Sequence, residues 1–216
     1  MLDYDNDGDK DLLAINGYVM PESTFDDEWN LTPSRLWRNP GAAAAAGPWP
    51  DIADELGLAD TANGRGLLLV DYDLDGDLDV FQANYAGPPR LFRNDGPSGA
   101  AWLRVVALEA AGGRESLGAM VTVVGMKGQR QTGWVGSPTA FQGQSEAIVH
   151  FGLGATTGLV GVEVRWSAPL QRLRLPAVAP NQLLRVHRPP TGVQNATAAK
   201  VKFTGLTQNS QVDPAV

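Results

Sequence analysis

The sequence of 216 residues contains no cysteine and only two histidines, His150 and His187. The lack of cysteine excludes disulfides, thiolate nucleophiles and cysteine-ligated zinc. Since the chain also has no Gly-x-Ser-x-Gly motif, a Ser-His-Asp triad has little support. A Gly152-x-Gly154 segment resembles a dinucleotide-binding fingerprint but has the wrong spacing to Gly158 and no βαβ unit around it. We therefore predict no catalytic residues, no organic-cofactor site and no enzymatic activity.

Long apolar runs are also missing, because no stretch approaches the ~18 apolar residues of a membrane-spanning helix. The N-terminus does not fit a signal peptide, since Asp3 falls where a basic and then an apolar region would be. Basic residues are scarce in the first part of the chain, where residues 1–99 hold 19 acidic and 6 basic side chains. Such a segment repels phosphate backbones, so we expect no nucleic-acid partner. Residues 100–188 carry 4 acidic and 9 basic side chains, scattered along the chain.

Aspartate, in contrast, is concentrated in a loop from Asp71 to Asp79, where it occupies every second position around Gly76. Ca²⁺ takes six to eight oxygen ligands, and Asp at positions one, three and five with Gly at six begins an EF-hand loop. Position twelve is Gln82 rather than the Glu of an EF-hand. Short apolar runs flank the loop, and they are typical of strands rather than helices. The pattern predicts a calcium loop between two strands.

This pattern is duplicated within the chain. An earlier loop from Asp3 to Asp11 repeats it, with Asp3 in the position of Asp71, and the segment from Arg35 to Asn39 recurs as Arg90 to Asn94. The distance from loop to segment is longer in the first copy, which therefore has an insertion around Tyr18 to Asn30. We expect this insertion to be an exposed acidic loop.

The aspartates of both loops are the predicted metal ligands. Ten carboxylates at matched spacing would repel one another without a cation, so we predict Ca²⁺ as a mainly structural cofactor. The predicted ligands are Asp3, Asp5, Asp7, Asp9, Asp11, Asp71, Asp73, Asp75, Asp77 and Asp79.

After residue 99 the pattern changes to short apolar runs separated by Gly- or Pro-containing turns, which is typical of an antiparallel β-sandwich. In one run, Val160, Val162, Val164 and Trp166 alternate with polar residues and predict a strand with one buried face. The predicted strands are Trp102 to Leu108, Met120 to Val124, Gln131 to Val135, Ala147 to Phe151, Val160 to Trp166 and Leu183 to Val186. Before residue 99, Asp51 to Leu58 predicts one short helix.

Two families resemble this sequence. Residues 1–99 are similar to VCBS/FG-GAP repeats, the calcium-bearing blades of β-propellers, through the Asp-rich loops and the Arg-Leu-aromatic-Arg-Asn segments. Residues 100–188 resemble the ASPIC/UnbV domain, which follows such repeats in cartilage acidic proteins and secreted bacterial proteins. The segments with this resemblance are Trp102 to Val105, Gly118 to Val123, His150 to Gly154 and Val162 to Trp166. The resemblance implies a secreted calcium-binding parent protein, of which this chain would be a piece.

We therefore predict an all-β protein: a partial β-propeller of about two FG-GAP-like blades at 1–99, an antiparallel β-sandwich at 100–188, and a linker or flexible tail at 189–216. The predicted function is a non-enzymatic, extracellular or cell-surface interaction or adhesion module with an unknown protein or carbohydrate partner. One alternative is an enzyme or biosynthetic accessory protein in which Ca²⁺ polarises a substrate near His150 or Glu163. The other is a carbohydrate-binding module. For the aromatic residues Trp37, Phe92, Trp102, Trp134 and Trp166, packing in the core is favoured over sugar stacking.

Overall fold

A computed structural model describes residues 1–17, 32–41, 47–97, 99–110, 113–136, 139–167 and 169–190, and the strand residues 195–197, 202–203 and 209–212. All regular secondary structure in these ranges is β, which agrees with the predicted all-β class. The described residues contain no helix with the length and apolar character needed to cross a membrane. The strands are β1 (Leu12–Ala14), β2 (Arg35–Trp37), β3 (Gly64–Val70), β4 (Asp79–Asn84), β5 (Arg90–Phe92), β6 (Ala101–Leu108), β7 (Met120–Val124), β8 (Arg130–Trp134), β9 (Thr139–Ala140), β10 (Gly143–Gln144), β11 (Val149–Gly154), β12 (Val160–Ser167), β13 (Leu170–Val178), β14 (Gln182–His187), β15 (Asn195–Thr197), β16 (Lys202–Phe203) and β17 (Asn209–Val212).

The chain forms two compact units. The first comprises Met1–Tyr4, Asp9–Gly96 and Pro138–Ser145, and the second comprises Asp5–Gly8, Pro97–Ser137 and Glu146–Val216. The first unit contains a β1-β2 ribbon, a β3-β4-β5 antiparallel sheet and a β9-β10 hairpin. Within the described ranges no closed propeller is present. The assignment of this unit to propeller blades stays a prediction.

Strand pairing in the first unit preserves the sequence repeat. Leu13 lies opposite Leu36 in the β1-β2 ribbon, and their equivalents in the second copy, Phe81 and Leu91, lie opposite each other in β4 and β5. The short bridge between Leu2 and Asp11 likewise matches the pairing at the end of β3 and the start of β4. Both copies of the repeat therefore fold with the same register.

The segment from Asp51 to Leu58 is a series of turns, so the predicted helix is wrong. Asp51 Oδ1 accepts hydrogen bonds from the backbone amides of Ala53 (3.2 Å) and Leu36 (3.3 Å), and Arg35 forms a 2.7 Å ion pair with its other oxygen. These bonds fix the segment to β2, and a segment this short does not sustain an isolated helix. The predicted acidic insertion at Tyr18 to Asn30 lies outside the described residues.

Two five-stranded sheets, ordered β11-β6-β14-β17-β16 and β15-β13-β12-β7-β8, form the second unit. They are mixed rather than purely antiparallel, because β14 runs parallel to β6 and β17, and β13 runs parallel to β15. The predicted antiparallel arrangement is wrong at these pairs. Strands β15, β16 and β17 fall in the segment that the sequence predicts to be a linker or tail.

The core of this unit is drawn from both sheets. Leu103, Val105 and Leu184 from the first sheet belong to the same buried cluster as Val121 and Val164 from the second. In β12 the predicted alternation is confirmed, since Val160, Val162, Val164 and Trp166 are all buried while the residues between them are partly exposed. A buried apolar layer of this kind is the main source of stability of a two-sheet unit.

Candidate metal centre

The second Asp-rich loop connects β3 to β4 and brings three carboxylates together. One oxygen each of Asp71, Asp73 and Asp79 lies within 4.8 Å of the others. Asp71 and Asp79 are buried, while Asp73 is exposed. The three side chains therefore form a cup with one side open to solvent.

Asp79 closes this loop through its carboxylate. The backbone amide of Tyr72 donates to its Oδ2 (3.0 Å), and the backbone amide of Asn94 donates to its Oδ1 (2.8 Å). Asn94 extends the closure, because its Oδ1 accepts from the amide of Gly96 (3.1 Å) and its Nδ2 donates to the carbonyl of Leu78 (3.3 Å). Asn94, the last residue of the Arg-Leu-aromatic-Arg-Asn segment, thus holds the end of the loop in place.

The first loop has the same arrangement. Oxygens of Asp3, Asp5 and Asp11 lie within 4.8 Å of one another. Asp11 accepts from the amide of Tyr4 (3.0 Å) and from the amide of Asn39 (2.8 Å), and Asn39 Oδ1 accepts from the amide of Gly41 (3.1 Å). Each of these bonds has its counterpart in the second loop.

Backbone conformation repeats as well. Asn6 and Leu74, which are equivalent, have φ values of 56° and 64°, and Gly8 and Gly76 both have φ of 99°. A left-handed conformation is uncommon for a residue such as Leu, and its recurrence at matched positions indicates that the two loops share one geometry. This geometry directs the alternate carboxylates toward one point.

Burial, together with mutual repulsion of the carboxylates, raises pKa values in the second loop. Burial, followed by the charges of Asp75, Asp71, Asp79 and Asp73, raises the pKa of Asp77 to about 6. Burial also raises the pKa of Asp79, although the amide hydrogen bonds from Asn94 and Tyr72 oppose the shift. The arrangement is therefore electrostatically strained unless a positive charge is supplied.

These residues fit a hard divalent cation. Every side-chain donor is a carboxylate oxygen, which is the ligand type that Ca²⁺ and Mg²⁺ prefer. Ca²⁺–oxygen distances of about 2.3–2.6 Å place two ligands on opposite sides of one ion roughly 5 Å apart. The mutual limit of 4.8 Å among the three oxygens is compatible with that span. The two aspartate triads could therefore each hold a metal ion.

The remaining predicted ligands lie outside the two triads. Asp7, Asp9 and Asp75 are exposed and Asp77 is partly buried. Asp75 Oδ1 accepts a 2.9 Å hydrogen bond from the amide of Asp77, which shapes the turn. Their ligand roles stay predictions. Asn39 and Asn94 were not predicted as loop-closing residues, although both end the duplicated segment.

Outside the loops, His150 and Glu163 are the two side chains considered for catalysis, and both lie in strands of the second unit. His150 is buried within β11, opposite Arg104. Burial opposes ionisation of Glu163, but the hydrogen bond from Arg174 and the charges of Arg172, Arg174 and Arg165 outweigh it and hold its pKa below the usual range. Glu163 is thus an ionised partner of the neighbouring arginines.

Comparison with known proteins identifies one domain of this chain. Residues 110–193 match the family model described as ASPIC and UnbV. The chain is also 35% identical over 78 residues to cartilage acidic protein 1 of Xenopus tropicalis. That match covers 36% of this chain and 11% of the frog protein, so the chain corresponds to a small part of that relative.

The predicted ASPIC/UnbV domain is thereby confirmed at 110–193. Three of the four segments that suggested it, at Gly118 to Val123, His150 to Gly154 and Val162 to Trp166, fall within the matched range, and Trp102 to Val105 precedes it. The resemblance of residues 1–99 to FG-GAP repeats stays a prediction, supported by the duplicated loops.

Proposed function

We propose that this chain is a calcium-stabilised, non-enzymatic interaction module of an extracellular protein, in which FG-GAP-like repeats precede the ASPIC/UnbV domain. The observation that supports it best is the duplication of an aspartate triad with the same closing hydrogen bonds in both loops. Each triad concentrates negative charge that a divalent cation would neutralise.

Calcium is the cation of choice for such a site. Its flexible coordination tolerates an irregular loop, whereas Mg²⁺ demands near-ideal octahedral geometry and keeps several waters. Since Asp73 is exposed and the cup is open to solvent, we place the affinity with extracellular modules, whose dissociation constants are about 10⁻⁴–10⁻³ M. Secretion of the parent protein is part of the same proposal.

The role of the ion is structural. Asp79 and Asp11 each connect their loop to the neighbouring strands, so an ion bound by the triad that contains them would fix the loop to these strands. A ligand that binds only the folded state stabilises it, by about 2.7 kcal/mol at a hundredfold excess over Kd. For a chain of this size that corresponds to a rise in Tm of roughly 5–10 °C.

Thermal unfolding with and without calcium tests the proposal. Metal-free protein is melted in EDTA and in 5–10 mM CaCl₂, with MgCl₂ at matched ionic strength as the control for screening. Calcium should raise Tm and magnesium should do so much less. Asp73→Asn should remove about half of the rise, because Asp73 belongs to one triad and is exposed, so its loss disturbs the metal-free fold little.

The matched control is Asp54→Asn, which changes an exposed carboxylate outside both loops. It should retain the full calcium-dependent rise. Melting curves that coincide in EDTA and calcium would contradict the proposal, as would an equal response of the Asp54 and Asp73 variants.

A further inference from the structure

Trp134 distinguishes the outer face of the β15-β13-β12-β7-β8 sheet. It lies on the edge strand β8 and is 50% exposed, whereas Trp102 and Trp166 are buried in the second unit as expected for core residues. Its neighbour Gly133 faces the core, since a Cβ there would meet Val149 and Phe151. Trp134 therefore points to the opposite, solvent-facing side of the sheet.

Strand register defines the rest of this outer face. Trp134 lies opposite Met120, Met120 lies opposite Arg165, and Arg165 lies opposite Arg172. The four side chains form one row across β8, β7, β12 and β13. The strands are ~4.8 Å apart, so the row extends roughly 14 Å from the indole to Arg172.

Positive charge dominates the face. Its described side chains include four arginines and one carboxylate: Arg130, Arg165, Arg172, Arg174 and Glu163. The carboxylate is shared by two of the arginines, with Arg174 at 2.8 Å and Arg172 at 3.5 Å. One negative charge cannot neutralise this set, so a net positive surface lies beside the exposed indole.

We propose that this outer face of the second unit binds an anionic polysaccharide bearing carboxylate or sulfate groups. Arginine presents a planar, weakly hydrated fork that matches such groups in a bidentate way. The exposed indole offers an apolar plane for the C–H face of a sugar ring, while the row of arginines reaches successive charges of the same polymer. The inference rests on the proposed interaction function and supplies its ligand class.

Charge complementarity and the single aromatic platform favour this ligand over other polyanions. Single-stranded nucleic acids are usually held by several aromatic side chains on which successive bases stack, and the described part of this face has one. An acidic peptide needs no ring-stacking surface, so it leaves the exposure of Trp134 unexplained. A polymer of charged sugars uses both the indole and the arginine row.

The test measures binding of the full chain to defined probes by fluorescence anisotropy in 1 mM CaCl₂. Fluorescent polygalacturonate and dextran sulfate supply the carboxylate and sulfate forms of the ligand. Neutral dextran, poly-L-glutamate and an oligo-dT strand represent the alternatives. We expect binding to at least one anionic polysaccharide that weakens as salt rises, and weaker binding to the other three probes.

Variants locate the contact. The Arg165→Gln, Arg172→Gln pair should weaken polysaccharide binding about ten-fold or more, because charge-assisted hydrogen bonds are lost. Trp134→Ala should weaken it several-fold, and Trp134→Tyr should restore most of the loss since a ring is retained. The matched control is Arg114→Gln, an exposed arginine between β6 and β7 that lies off this face; it should bind like the wild type.

Three results would overturn the inference: no binding to either anionic polysaccharide, tighter binding to poly-L-glutamate or oligo-dT, or equal losses in the Arg114 and Arg165/Arg172 variants. Unfolding measured on each variant in calcium identifies losses caused by misfolding. Failure here together with an intact calcium-dependent rise in Tm removes the ligand assignment and leaves the calcium proposal standing. Polysaccharide binding without any calcium-dependent rise in Tm would remove the calcium proposal and leave the ligand assignment standing.

Discussion

The backbone amide of Asn94 donates a 2.8 Å hydrogen bond to Oδ1 of Asp79. Asn39 and Asp11 make the same bond at the same distance in the other copy of the repeat. Aspartate at the ninth loop position therefore has a structural task of its own, because it joins the loop to the end of the neighbouring strand. Since the same aspartate belongs to the triad, a metal bound there would be attached directly to this connection.

Replacing Asn94 by alanine should loosen the second loop. The substitution removes the bonds of its side chain to the amide of Gly96, to the carbonyl of Leu78 and, at 2.7 Å, to the carbonyl of Tyr4. We expect a loss of about 1–3 kcal/mol in unfolding free energy, measured by urea denaturation in EDTA. Asp95→Ala is the control, because its ion pair with Arg93 is largely exposed and should contribute less than ~1 kcal/mol. Equal effects of the two variants would contradict the loop-closing role.

Replacing Gly96 by alanine should disrupt the same loop through a steric clash. A Cβ at this position would overlap the carboxyl group of Asp77, and the φ of 42° disfavours a side chain as well. We expect destabilisation of about 1–3 kcal/mol and weaker calcium binding. Gly57→Ala, at a φ of 70° with open space around it, isolates the backbone contribution alone. Calcium affinity that is equal in both variants would argue against the contact with Asp77.

A rise in pH should change the stability of the metal-free protein and its calcium affinity in opposite directions. Since the folded pKa of Asp77 is raised to about 6, the folded state binds a proton more readily than the unfolded state does between pH 4 and 6. The contribution of Asp77 to metal-free stability should therefore decline as pH rises across this window. Calcium affinity should instead increase, because protons leave the site. Urea titrations at pH 4.5, 5.5 and 7 in EDTA, paired with calcium titrations, measure both slopes, and Asp77→Asn should flatten the first.

Ser116 should stabilise the second unit through two linked hydrogen bonds. Trp166 Nε1 donates to Ser116 Oγ (3.1 Å), and Ser116 Oγ donates to Glu109 Oε1 (2.6 Å). Ser116→Ala leaves a buried indole N–H without its acceptor, which costs roughly 1–3 kcal/mol. The control Ser167→Ala alters an exposed hydroxyl at the end of β12. If chemical denaturation gives the two variants the same stability, the hydrogen bonds of Ser116 to Trp166 and Glu109 do not contribute to stability.

Local patterns predict much of this fold. Alternation along Val160 to Trp166 indicates both the strand and its buried face, because side chains of a strand point to opposite sides in turn. The duplication seen in the sequence is preserved as a shared strand register in the two copies. Spacing also brings Asp71 and Asp73 together, since alternate residues of the loop face the same point.

Other features depend on distant contacts and are not visible in local patterns. β13 lies outside the predicted strands, because charged and apolar residues alternate in it only from Arg172 to Leu175, and its pairing with β12 becomes visible only in the structure. The parallel pairing of β6 with β14 joins segments that are far apart in the sequence. The amide of Asn94 comes close to Asp79 because the chain reverses between β4 and β5. The Asp-rich pattern alone therefore does not reveal this hydrogen bond.

Isothermal titration of the metal-free protein with CaCl₂ tests the central claim most directly. We predict two ions bound per chain. Asp73→Asn and Asp5→Asn should each remove one of them, because each changes a single triad. A titration that shows no binding up to several millimolar calcium, or a stoichiometry of two that both variants leave unchanged, would contradict it.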